Sequence, residues 1–244
     1  NTCKIPYHRI EDYLSIEGLE KTTGTWDIKA TGKIESGYSL KFDQDGDYIS
    51  FGDNDVFDFS RTDVSGFSYS VWLNTSNNSF QQILCKRGTG GNYEMQIDPW
   101  EGGTVTANYL RSATRVDDGE WHNIIVTYDF NSSLAIMYVD GIQDDVGAIE
   151  SDYSASSDGP LHIGADSYQG EYFDGFIKEV AIWVDALDPS EVPGIYNSGK
   201  GVDLSTNSAL GGDNGIRGYW PLNAGFGNVV TDVASTRSTD PVVN

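Results

Sequence analysis

The sequence predicts an all-β protein, a two-sheet antiparallel sandwich of the jelly-roll kind, on three observations. Apolar residues alternate with small or polar ones at a period of two through most of the chain. Clusters of Gly, Asn, Asp and Ser separate these runs at short intervals, the punctuation of hairpins and meanders. Helical periodicity is nearly absent.

The clearest strand is Phe67–Leu73, with Phe67, Tyr69, Val71 and Leu73 on one face. Trp121–Tyr128 and Leu134–Val139 are two more, joined by a polar turn at 130–133. Asp118-Gly119 and Asp140-Gly141 mark further turns. Shorter strands are expected at Ser39–Phe42, Tyr48–Phe51, Gln82–Lys86, Tyr93–Ile97, Thr104–Tyr109, Leu161–Ile163 and Phe176–Trp183. The one helix expected is Asp188–Tyr196, with Asp188 as its cap, Pro189 in its first position and Pro193 keeping it to about a turn. No low-complexity linker interrupts the middle of the chain, so residues 30–200 read as one domain. Residues 1–29 form an N-terminal arm with only a weak pattern. Residues 201–244 are a polar loop followed by a last aromatic segment, which packs on its own domain or on a neighbour.

Composition narrows the function. Asp and Glu total 37 against 15 Lys and Arg among 244 residues, a formal charge of −22. That field repels phosphate backbones and anionic headgroups, so nucleic-acid binding through a basic patch is excluded as the main role. No apolar run is long enough to span a bilayer, so membrane insertion is not expected. The chain opens on Asn1 without a basic-then-apolar leader, which reads as a processed or trimmed product. Cys3 and Cys85 allow at most one internal bridge, so this is not a disulfide scaffold.

The motifs Gly37–Asp43, Asp47–Gly52, Phe67–Leu73, Asp117–Tyr128, Tyr138–Gly141 and Phe173–Trp183, followed by Asp188–Tyr196, occur in an order that resembles the laminin-G-like, concanavalin A-like jelly roll over roughly residues 34–198. The resemblance implies two antiparallel sheets packed face to face. It leaves function open, since this sandwich carries lectins, adhesion modules, glycosidases and lyases. A narrower likeness lies at the end. Ile195–Leu204, Gly218–Leu222 and Ser238–Pro241 resemble laminin-G-like structural proteins of marine bacteriophages. It implies a virion or cell-surface setting, with other structural subunits as partners.

Candidate chemistry follows. A glycosidase needs two carboxylates about 5 to 9.5 Å apart. The acidic groups Asp43/Asp45/Asp47, Asp117/Asp118/Glu120 and Asp144/Asp145 all fall at expected turns, where they read as solvated bend residues. His122 follows Trp121 at a strand start, and no Gly-x-Ser-x-Gly elbow exists, so His122 reads as structural. The chain is therefore expected not to be an enzyme; a polysaccharide-degrading glycosidase or lyase on the same fold is the alternative. Relatives often hold calcium through an acid in a Gly-x-Ile-Asp-Glu-Val motif. Here the motif reads Gly175–Val180 with Lys178 in the ligand's place. Two outcomes follow: calcium held by Asp43, Asp174 and Glu179, or a Lys178 ammonium replacing the metal between Asp174 and Glu179. Surface-polysaccharide contact would use exposed aromatic rings in or beside loops. Trp100, Tyr93, Tyr168 and Tyr172 are the candidates. The closing segment Trp220–Asp232 resembles one that usually opens the sandwich, so it either completes its own sheet or pairs with another subunit.

Overall fold

The computed structural model describes residues 39–166, 168, 170–204 and 215–222, together with the backbone of 14–15 and 31–35. Cys3, most of the N-terminal arm and the motifs beyond residue 222 lie outside the described residues.

Two antiparallel sheets form the sandwich expected from the alternation. The larger contains β1 (Leu14–Ser15), β2 (Thr31–Glu35), β3 (Ser39–Asp43), β5 (Gly66–Asn74), β10 (Trp121–Asp129), β11 (Leu134–Val139), β12 (Ile142–Ala148), β14 (Asp174–Trp183) and β15 (Ile216–Trp220). Its order is β1-β2-β3-β14-β5-β10-β11-β12, with β15 also on β14. The smaller sheet runs β4 (Ile49–Ser50), β13 (Leu161–Ile163), β6 (Gln81–Arg87), β7 (Asn92–Asp98), β8 (Thr104–Ala107) and β9 (Leu110–Arg115). Between the sheets lies one core. Phe67, Tyr69, Val71 and Leu73 of β5 meet Tyr93, Met95 and Ile97 of β7, and Phe67 stacks on Tyr128 at 4.5 Å and on Phe59 at 4.8 Å.

β9 and β12 are strands the alternation did not announce. β9 has only Leu110 and Ser112 buried, and β12 presents exposed and half-exposed residues throughout. Their reason is mutual. Asp144 and Asp145 of β12 accept from the backbone N–H groups of Arg111, Ala113 and Thr114, so side-chain carboxylates close the β9 edge. These aspartates are edge protectors on a strand, not bend residues. The expected helix is also shorter. The Asp188 carboxyl closes a turn onto the Ser190 N–H (2.8 Å), and α1 (Val192–Tyr196) begins only after Glu191. A second apolar cluster, with Ile125, Tyr138, Trp183 and Tyr219, packs α1 and its flanks over the outside of the larger sheet.

Strand β14 changes partner halfway. Asp174–Ile177 pairs with β3, and Val180–Trp183 pairs with β15 of the same chain. Glu179 sits at the changeover with a positive φ of 50°, and its N–H donates to the Pro221 carbonyl (3.1 Å). Among the described residues no helix is long and apolar enough to cross a membrane.

Candidate functional site

Because Tyr93, Met95 and Ile97 point into the core, the intervening Glu94, Gln96 and Asp98 point outward from the smaller sheet. Register extends this into cross-strand rows. Gln82, Gln96, Thr106 and Arg111 form one, and Asp98, Thr104 and Arg115 form the next. The result is a groove of about 400 Å³, lined by Glu94, Gln96, Asp98, Thr106, Tyr109 and Arg111 among others. That volume lies within the range of roughly 300–1,000 Å³ common for small-molecule sites.

Each strand carboxylate in the groove has a guanidinium partner. Glu94 pairs with Arg87, and Asp98 accepts from Arg111 Nη2 at 3.3 Å. The other Asp98 oxygen accepts from the Trp100 N–H (2.9 Å), capping the 3-10 turn Pro99–Glu101. Beyond the groove's end Arg115 grips Asp117 through Nε (2.9 Å) and Nη2 (3.0 Å). That pair is why Gly103 is glycine. Its φ is +76°, and a Cβ there would lie 2.0 Å from the Asp117 carboxyl carbon. On this face Gln82 Oε1, Thr104 Oγ1 and Thr106 Oγ1 are buried without a hydrogen-bond partner among the described residues. Glu171 lies toward Arg87 and Glu94; burial, with the neighbouring Asp166, raises its carboxyl above the ordinary range.

The expected aromatic residues separate into two groups. Trp100 is 80% exposed in the turn capped by the groove residue Asp98, with its ring 5.6 Å from Phe80. Tyr168 is 75% exposed in a loop whose Asp166 carboxyl holds the Tyr168 and Gly170 N–H groups. Tyr172 is half-buried beside Tyr48, their rings 6.3 Å apart. Tyr93 is a correction. It is fully buried on the core face of β7, where the pleat puts every odd residue, and no ligand reaches it from outside.

The metal expectations also need correcting. Asp43 and Asp174 are cross-strand partners, but Glu179 is five residues further along β14, beyond a bulge. There it accepts from Tyr219 Oη, so the three acids do not converge. Lys178 does not bridge acids either. Its ammonium lies 4.4 Å from the Trp121 ring centre and 5.4 Å from that of Trp72, and burial lowers its pKa. The lysine that acts as an internal cation is Lys86. Fully buried, it reaches Asp58 (2.9 Å), Asp53 (3.2 Å) and the carbonyls of Ser157 (2.7 Å) and Gly159 (3.0 Å). Asp53, Asp55 and Asp58 form an acidic triad whose oxygens lie within 4.8 Å of one another, a geometry that suits a metal ion. Two of the three already face the Lys86 ammonium.

His122 lies between two carboxylates. Its Nδ1 lies 2.8 Å from Asp140 and its Nε2 3.1 Å from Asp118, and the Asp140 hydrogen bond raises its pKa. The groove residues Glu94, Gln96 and Asp98 were missed by sequence reasoning. Their signal was present, because Tyr93–Asp98 alternates apolar and polar along a recognised strand.

Two packed antiparallel sheets with an open polar groove on the outside of one define the chain as a jelly-roll β-sandwich. The family model of the concanavalin A-like lectin/glucanases superfamily matches residues 42–193, and the chain belongs to that superfamily. No curated protein matches it in sequence. Among solved structures it is similar to a Bacteroides ovatus protein provisionally described as carbohydrate-binding, with TM-score 0.56, 19% identity, and 79% of this chain and 53% of that one covered. It is also similar to the binding domain of Paraclostridial Mosquitocidal Protein 1 (TM-score 0.56, 14% identity, 71% and 47% covered). A third is the binding domain of botulinum neurotoxin serotype D (0.52, 13%, 75% and 50%). The chain spans about half the length of these structures, and identities this low speak for the fold.

Proposed function

We propose that this domain is a non-enzymatic glycan-binding module of an extracellular or virion assembly, holding surface polysaccharide in the groove on the smaller sheet. One observation carries the reading. Glu94, Gln96 and Asp98 line a groove with fixed hydrogen-bonding groups, and Trp100, two residues beyond Asp98, exposes an indole suited to stacking on a sugar ring. The provisional carbohydrate-binding description of the Bacteroides ovatus relative supports it. Strand rise places Glu94 and Asp98 about 13 Å apart along β7, wider than a glycosidase pair requires. Both carboxylates are also tied to arginines.

The test is titration calorimetry of the full chain against a polysaccharide panel. Trp100→Ala and Gln96→Ala are each expected to weaken binding at least tenfold with circular dichroism unchanged. Binding to no glycan, or variants that bind like wild type, would refute the proposal. The alternative, a polysaccharide-degrading glycosidase or lyase on the same fold, predicts glycan turnover that disappears on a single carboxylate change.

A further inference from the structure

We infer that the groove is selective for uncharged glycans, and that the Arg111–Asp98 pair sets this selectivity. The inference rests on the glycan-binding reading and concerns which glycans enter. An acidic sugar needs an uncompensated cation, usually a guanidinium open to fork onto a carboxylate. The guanidinium that lines the groove, that of Arg111, faces Asp98, and the groove carboxylate Glu94 is paired with Arg87. Asp145 adds a second acid beside Arg111, accepting its backbone N–H at 2.8 Å. Arg115, in the next row, is clamped on Asp117. Glu171 and Asp166 flank the Arg87 end. The local balance is therefore neutral to negative, inside a chain whose formal charge of −22 already repels polyanions.

What remains for recognition is neutral chemistry. The Gln96 amide offers a donor and an acceptor, and the paired carboxylates Glu94 and Asp98 keep lone pairs that accept from sugar hydroxyls. This set matches the vicinal hydroxyls of a neutral sugar.

Asp98→Asn tests the mechanism. Asparagine keeps an oxygen for the Trp100 N–H but leaves Arg111 without its groove carboxylate. The full-length wild type, Asp98→Asn, Arg111→Gln and Gln96→Ala would be titrated with laminarin and xyloglucan as neutral probes and with alginate and hyaluronan as acidic ones, at low and high salt. Wild type is expected to bind a neutral probe and neither acidic one, and Gln96→Ala to lose at least tenfold. Asp98→Asn is expected to gain acidic-glycan binding of at least tenfold that high salt removes. Wild-type binding of alginate or hyaluronan that Arg111→Gln abolishes would overturn the selectivity and leave the glycan reading standing. Neutral binding without any acidic gain in Asp98→Asn would overturn charge compensation as its cause. Binding of no probe by wild type would bring down the glycan reading itself, and this inference with it.

Discussion

Glu179 offers the sharpest quantitative test of the fold. It sits where β14 exchanges β3 for β15, with a positive φ that turns its carboxyl toward Tyr219. Burial pushes its pKa from 4.5 up to about 7, against the lowering effects of the Tyr219 hydroxyl and the Lys178 ammonium; Asp203 pushes it further up. The folded state therefore binds a proton more tightly than the unfolded chain between pH 4.5 and 7. Stability falls as pH rises through that window and levels off above it. At 1.36 kcal/mol per pH unit, the loss is about 3 kcal/mol, a large fraction of a domain's stability. Glu179→Gln removes the ionisation while keeping an acceptor for Tyr219.

Urea unfolding from pH 4 to 8 is the assay, with hydrogen exchange at Tyr219 and Trp220 reporting on β15. The two proteins should be similarly stable at pH 4. The variant should be ahead by up to about 3 kcal/mol at pH 8. The histidines are common to both, so their titrations cancel in the difference. A difference that stays constant with pH would refute the argument, because it would show that Glu179 ionises as easily in the fold as in the unfolded chain.

Three further outcomes are expected. Lys86→Met should destabilise by about 3–5 kcal/mol in urea unfolding, since Asp53, Asp58 and two carbonyls lose their cation; a loss under about 1 kcal/mol would mean that solvent serves those groups equally well. Tyr93→Phe should stabilise by about 1 kcal/mol and leave glycan titrations unchanged, because it deletes a buried hydroxyl without a partner among the described residues. His122, with its pKa raised, contributes stability below about pH 6.5 that is lost as pH rises through its folded value. His162, buried and lowered, does the reverse, losing its contribution as pH falls below that point. His122→Gln should therefore narrow the gap to wild type as pH rises from 6 to 8, and a gap that widens would show the sign to be wrong.

The fold was legible wherever one face of a strand is buried, because the pleat then writes its period of two into the residues. Phe67–Leu73 and Trp121–Tyr128 are such cases. It was not legible in β9 and β12, which are stabilised by carboxylates of one edge closing the N–H groups of the other. The polar face of β7 was legible in principle, since the residues between Tyr93, Met95 and Ile97 must point outward. The same rule buries Tyr93, which follows a glycine-rich turn but is the first inward residue of β7. The internal cation was misplaced because Lys178 stands at a motif position where relatives carry an acid. Lys86 stands on the core-facing side of β6, and only the approach of the 157–159 loop and of Asp53 and Asp58 gives its ammonium four oxygens. Sequence spacing carries no trace of those contacts.

The distribution of positive charge ties stability to recognition. In a chain this acidic, cations are the scarce groups, and the described ones at the sheet ends are committed to holding loops. Arg61 reaches the carbonyls of Phe130 (3.0 Å) and Glu150 (3.0 Å) while lying over the Phe130 ring. Lys86 gathers the 53–58 and 157–159 segments, and Arg115 fixes the turn at Asp117. Lys178 is held between two indoles. Each commitment stabilises a connection and removes a cation from the surface where an anionic ligand would need one. Arg111 at the groove and Arg87 beside it are likewise each paired with a strand carboxylate, Asp98 and Glu94. Removing an arginine outright would disturb the strand or loop it holds, whereas Asp98→Asn changes the charge beside Arg111 and keeps an oxygen to cap the Trp100 turn.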